Sequence, residues 1–102
     1  MVYYFKHTDG NIYKFDPSQA TLLMSTRRVA GRDQTRWYEI WQTASGRFVM
    51  LDRSLWQGEE DTVRFVDLDV VLLHLALGEP EQRTPAGDHL LAEHETEFVQ
   101  EA

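Results

Sequence analysis

Cysteine is absent from this 102-residue chain, which excludes disulfide staples, thiolate zinc sites and a cysteine nucleophile, and makes the reducing cytoplasm the expected compartment. Long apolar runs are lacking too. The longest, Val70 to Leu77 (VVLLHLAL), falls far short of the ~20 residues that a bilayer span requires. With no basic, apolar leader at the N-terminus, neither secretion nor a membrane is expected. The six glycines are scattered singly, so no loop is built to cradle a phosphate, and no Gly-x-Ser-x-Gly setting marks a serine nucleophile. The sequence offers no catalytic residue and no cofactor site, and an enzyme is not expected.

What is present suffices for one small folded domain. At 42% hydrophobic and 12% aromatic residues the chain is too apolar for intrinsic disorder, and its length is that of a single domain. Residues 2–16 (VYYFKHTDGNIYKFD) read as a β-hairpin. A three-residue loop, Thr8-Asp9-Gly10, pairs Phe5 with Tyr13 and Tyr3 with Phe15, placing four aromatics on one face; a two-residue loop would scatter them. Residues 17–30 fit a strand better than a helix, because Thr21, Ser25, Thr26 and Val29 lower helix propensity. Ala30 to Thr35 reads as a loop.

A second hairpin follows, RWYEIWQ-TASG-RFVMLDR. Tyr38 and Ile40 share parity with Phe48 and Met50, while Trp37 and Trp41 share parity with Val49 and Leu51. Both faces are therefore apolar, so both need a cover. Thr62 to Val66 is a last short strand. A short buried helix at about 68–77 follows, apolar nearly all round, with Asp67 and Asp69 at its start and Gly78 and Pro80 at its end. One face of the second hairpin is expected beneath this helix, and the other beneath the C-terminal helix, a second subunit or a partner.

The fold class expected is α+β: a small antiparallel sheet of four to five strands with two hairpins, one buried helix packed on it, and a C-terminal acidic amphipathic helix. The chain divides into an α+β domain at 1–78, a linker at 79–87, suggested by two prolines and a glycine, and an acidic helix or tail at 88–102. Its stripe would hold Leu90, Leu91, His94 and Phe98, with Glu93, Glu95 and Glu97 mostly off it.

Charge is the most informative property. Residues 1–78 hold ten acids and nine bases, whereas residues 79–102 hold seven acids and Arg83 alone. Arg27, Arg28, Arg32 and Arg36 form a basic stripe just before Trp37, Tyr38 and Trp41. His89, Glu93 and His94 approach a helical metal-ligand spacing, but the histidines are five apart where the metalloprotease pattern needs four, so no metal site is expected. Glu59-Glu60-Asp61 reads as an acidic turn.

Three readings follow for function. The first is a non-catalytic cytoplasmic protein-protein interaction module, a small acidic inhibitor or regulator of the phage or plasmid type, that blocks a basic nucleic-acid-handling protein. Its partner-binding residues would be Trp37, Tyr38 and Trp41, the four arginines, and Glu93, Glu95, Glu97 and Phe98. The second is direct binding of single-stranded nucleic acid on the arginine stripe and aromatics, which a net charge of −7 opposes. The third is a homodimer clasped by the acidic tail on the arginine stripe.

Overall fold

In a computed structural model of the protein, which describes residues 1–27 and 35–102, the expected α+β class is present, with its strands divided between two antiparallel sheets. Strands β1 (Tyr3–Lys6) and β2 (Ile12–Phe15) form a separate two-stranded hairpin. Strands β3 (Thr21–Ser25), β4 (Arg36–Gln42), β5 (Phe48–Ser54) and β6 (Thr62–Val66) form a four-stranded meander in that order. Helices α1 (Leu68–Leu77) and α2 (Pro85–Phe98) follow.

The two hairpin turns are built alike. His7 N–H donates to Asn11 O and Gly10 N–H to His7 O; at the second turn, Thr43 N–H donates to Arg47 O and Gly46 N–H to Thr43 O. In each, the third loop residue is a glycine with φ of +85° (Gly10) or +88° (Gly46), the left-handed conformation that closes a three-residue bulged loop. The first hairpin has the expected register, Tyr3 opposite Phe15 and Phe5 opposite Tyr13. In the second, Ile40 stands opposite Met50 and Trp41 opposite Val49, as parity requires.

The sheet lies between two covers. On one face, α1 and α2 bury Leu23, Met24, Ile40 and Met50 against Val71, Leu72, Leu75 and Leu90. On the other, the first hairpin lays its aromatic face over Trp41, Val49, Leu51, Val63 and Phe65. Phe5 meets Phe65 edge-on at 5.0 Å between centroids, and Phe15 meets Trp41 at 6.0 Å. The second face of the RWYEIWQ strand is thus closed by the chain's own N-terminus, correcting the expectation of the C-terminal helix, a second subunit or a partner. The aromatic side chains that make β1 and β2 a one-faced hairpin are the cover.

Helix α2 also differs from expectation. It starts at Pro85, three residues before the Asp88 start read from the sequence, with Thr84 as its cap accepting from Gly87 N–H. Proline at the first helical position carries a fixed φ suited to a helix start, and loses an N–H that would have no partner there. Residues 80–82 form one turn of 3-10 helix, and Gln82 is buried. Thr84 then ties the segment to the sheet: its N–H donates to Leu23 O, and its hydroxyl lies 2.6 Å from Leu22 O. A β-bulge between Leu22 and Met24 frees those carbonyls. Gly87 is needed because a Cβ there would run into the Leu23 carbonyl oxygen.

Candidate protein interface

The residues singled out by sequence divide between the interior and two outer surfaces. Trp37 is only 7% exposed. Its indole N–H donates to Glu39 Oε2 at 2.8 Å, and the Trp41 indole donates to Glu39 Oε1 at 3.0 Å, so one buried carboxylate is held by both tryptophans. A charge removed from water needs such partners. Arg53 adds an ion pair at 3.6 Å to Glu39 and another at 3.5 Å to Asp61. Asp61 in turn accepts from the Tyr3 hydroxyl and from Ser54 N–H. The guanidinium of Arg27 caps the Trp37 ring at 4.2 Å, with that of Arg53 at 5.3 Å. These are internal contacts, and they leave little of Trp37 for a partner.

Tyr38 points to the helix side, where its hydroxyl lies 3.0 Å from His74 Nδ1. Burial, with the Asp52 charge adding, pushes the phenol above its ordinary value, so the hydroxyl stays protonated. His74 is half-buried on α1 and hydrogen-bonded there. Arg36 is exposed and makes a two-pronged bond to Glu59 at 2.9 and 2.8 Å. Arg28 and Arg32 lie outside the described residues. Among the described residues neither Arg27 nor Arg36 contacts the acidic tail of its own chain: Arg27 lies over Trp37 and Arg36 pairs with Glu59.

An open cleft of about 500 Å³ at the end of β4 and β5 includes Arg36, Trp37, Tyr38, Arg53, Glu59 and Glu60 in its wall. Within it Arg36 pairs with Glu59, while Arg53 pairs with Glu39 and Asp61 outside the wall. On α2, His89 pairs with Glu93 at 2.7 Å and His94 lies 3.7 Å from Glu97; among the described residues, no group of three metal-ligating side chains comes together.

The helical layer's outer surface is the feature sequence reasoning missed. Helix α1 was expected to be buried, but only Val71, Leu72 and Leu75 are. Val70, Leu73 and Leu77, spaced i, i+3 and i+7, form an exposed apolar ridge, with Leu77 78% exposed. The signal was available: a helix apolar all round, laid on a sheet with one partner helix, cannot cover its outer side. Beside the ridge a groove of about 330 Å³ is lined by Ala76, Leu91, Ala92 and Val99, with Arg83, Asp88 and Glu95 also in its wall. Phe98 and Val99 are exposed at the end of α2, and Glu93, Glu95 and Glu97 are exposed along it.

Charge divides sharply at the layer boundary. Residues 67–102 hold nine acids and Arg83, net −8; residues 1–66 hold eight acids and nine bases, net +1. Arg83 is turned inward, bonded to Asp88 and to Leu75 O at 2.7 and 2.8 Å. The helical layer thus carries its apolar ridge and groove in the segment that holds the chain's net negative charge. A comparison with family models, curated proteins and solved structures finds no match to this chain.

Proposed function

We propose that the protein is a non-catalytic interaction module, an inhibitor or regulator, that docks the outer surface of its helical layer on a basic surface of another protein. The observation that carries this reading is the exposed Val70, Leu73 and Leu77 ridge set in a segment of net −8. The ridge supplies area to bury, and the carboxylates steer a basic partner and fix its orientation. Nucleic acid is the weaker reading, since the acidic layer repels phosphate and the Trp37 ring is buried beneath guanidinium groups.

The test is a salt titration of the complex with a partner captured from the native cell. Dissociation constants should rise steeply with salt, and by on the order of tenfold or more for Leu73→Asp/Leu77→Asp and for Glu93→Lys/Glu95→Lys/Glu97→Lys. All five side chains are exposed, so the fold should survive. Salt-insensitive binding, or full affinity in both variants, would reject the reading.

A further inference from the structure

The face opposite the helical layer is its chemical counterpart. The hairpin's inner side chains are core, but its outer face presents Tyr4, 70% exposed, and Ile12, 74% exposed, together with Lys6 and Lys14. Register places Tyr4 directly opposite Lys14, and Lys6 directly opposite Ile12, so the four side chains make one compact patch on neighbouring strands. These are the chain's two lysines; every other cation is an arginine. Arg47 lies 3.4 Å from the Phe65 ring centroid, and Arg36, Arg53, Arg64 and Arg83 are tied to carboxylates. By contrast, neither Lys6 nor Lys14 forms an ion pair within 4 Å among the described residues, although, after the Ser18 hydrogen bonds, the Lys14 charge helps to lower the Asp16 carboxyl pKa. One outer face therefore offers exposed apolar groups with two exposed lysines, and the other offers exposed apolar groups with negative charge.

We infer that a second copy of this chain occupies the helical layer, its Tyr4, Lys6, Ile12 and Lys14 face seated on the Val70, Leu73 and Leu77 ridge. The inference rests on the docking surface proposed above and names an occupant for it in the free protein. The two patches lie on opposite sides of the sheet, so the contact is heterologous. Each added copy leaves one ridge and one hairpin face open, and assembly runs head to tail instead of stopping at a two-fold dimer. An external basic partner would compete with the hairpin for the ridge, so that binding a partner dissolves the self-assembly.

Sedimentation velocity on the full chain tests this. At low salt the weight-average mass should climb with concentration past two chains, on the order of threefold between about 10 µM and 1 mM if contacts form in the weak range. High salt should reverse the rise. Lys6→Glu/Lys14→Glu and Glu93→Lys/Glu95→Lys/Glu97→Lys should each stay monomeric alone, and equimolar mixing should restore association, which also shows that both variants fold. A single-chain mass at every concentration, a plateau at two chains, or association that survives in either variant overturns the inference. The lysine variant keeps the ridge, so it should still bind the captured partner. A monomeric wild type that binds that partner sinks the self-assembly alone, whereas a ridge variant that binds it undiminished sinks the docking surface beneath both.

Discussion

The two faces of the four-stranded sheet are closed by different means. On the helix side the core is aliphatic, Leu23, Ile40 and Met50 against Val71 and Leu75, and α2 is fastened to the edge strand by the backbone N–H and the hydroxyl of Thr84. On the hairpin side the cover is aromatic, Tyr3, Phe5 and Phe15 over Trp41, Val49 and Phe65. Among the described residues, no backbone hydrogen bond joins that hairpin to the sheet. A few large rings let two four-residue strands cover a whole face, because each aromatic buries so much area. The aliphatic cover takes two helices and still leaves Leu73 and Leu77 in water. Surface available for binding therefore arises on the helical side, from the cover that is apolar on its outer side as well.

The difference predicts how each face fails. Phe15 is 3% exposed and Leu75 fully buried; truncating either to alanine should cost about 3–4 kcal/mol in urea unfolding, the range for large core truncations. Their local effects should part company. Phe15→Ala should loosen the hairpin, held to the sheet by side chains, raising amide exchange in β1 and β2 and shifting the emission of Trp41, which it meets edge-on. Leu75→Ala should leave that exchange near wild type. Equal hairpin exchange in the two variants would show that the covers do not act separately.

A finer test concerns the buried carboxylate of the hairpin side. Glu39 accepts from two indole N–H groups, and a glutamine amide has only one oxygen to offer. Glu39→Gln should leave one indole donor unpaired and cost about 2 kcal/mol, as an unsatisfied buried group does. Indole N–H resonances should report the loss on one tryptophan. A stability unchanged from wild type would mean the clamp is not a net constraint.

The legible parts of this fold were local. Gly10 and the aromatic spacing determined the first register, and parity in β4 and β5 correctly sorted Trp41 with Val49 and Ile40 with Met50. That RWYEIWQ needed two covers was also readable. Which element supplied the second cover was not, because Phe15 and Trp41 meet only in three dimensions and nothing in their spacing encodes it. The 79–87 segment misled for a chemical reason: its prolines and glycine resemble a linker, yet Pro85 starts a helix and Gly87 permits contact with Leu23. In the candidate interface, the acidity of α2 was visible in composition. The α1 ridge was hidden in a run that looked uniformly buried, and the three aromatics chosen as a gripping surface proved largely occupied within the chain.

The smallest expected effect lies at the rim, where neither cover reaches. The two-pronged Arg36 bond, then the Ser54 hydroxyl at 2.6 Å, hold the Glu59 carboxyl at about 2, against an ordinary 4.5. A carboxylate whose folded value is depressed adds stability above its unfolded value and loses it as pH falls through the folded one. The Glu59 contribution should therefore be complete above about pH 4.5 and disappear toward pH 2. Both groups are exposed, so solvent screening keeps the effect on global stability slight. The carboxyl carbon shift followed by NMR is the direct measurement. It should titrate near 2 in the wild type and move most of the way to 4.5 in Arg36→Gln, with little change in either core. A Glu59 that titrates near 4.5 in the intact protein would show the pair to be open in solution, and would leave the arginine stripe freer for a partner than its contacts here imply.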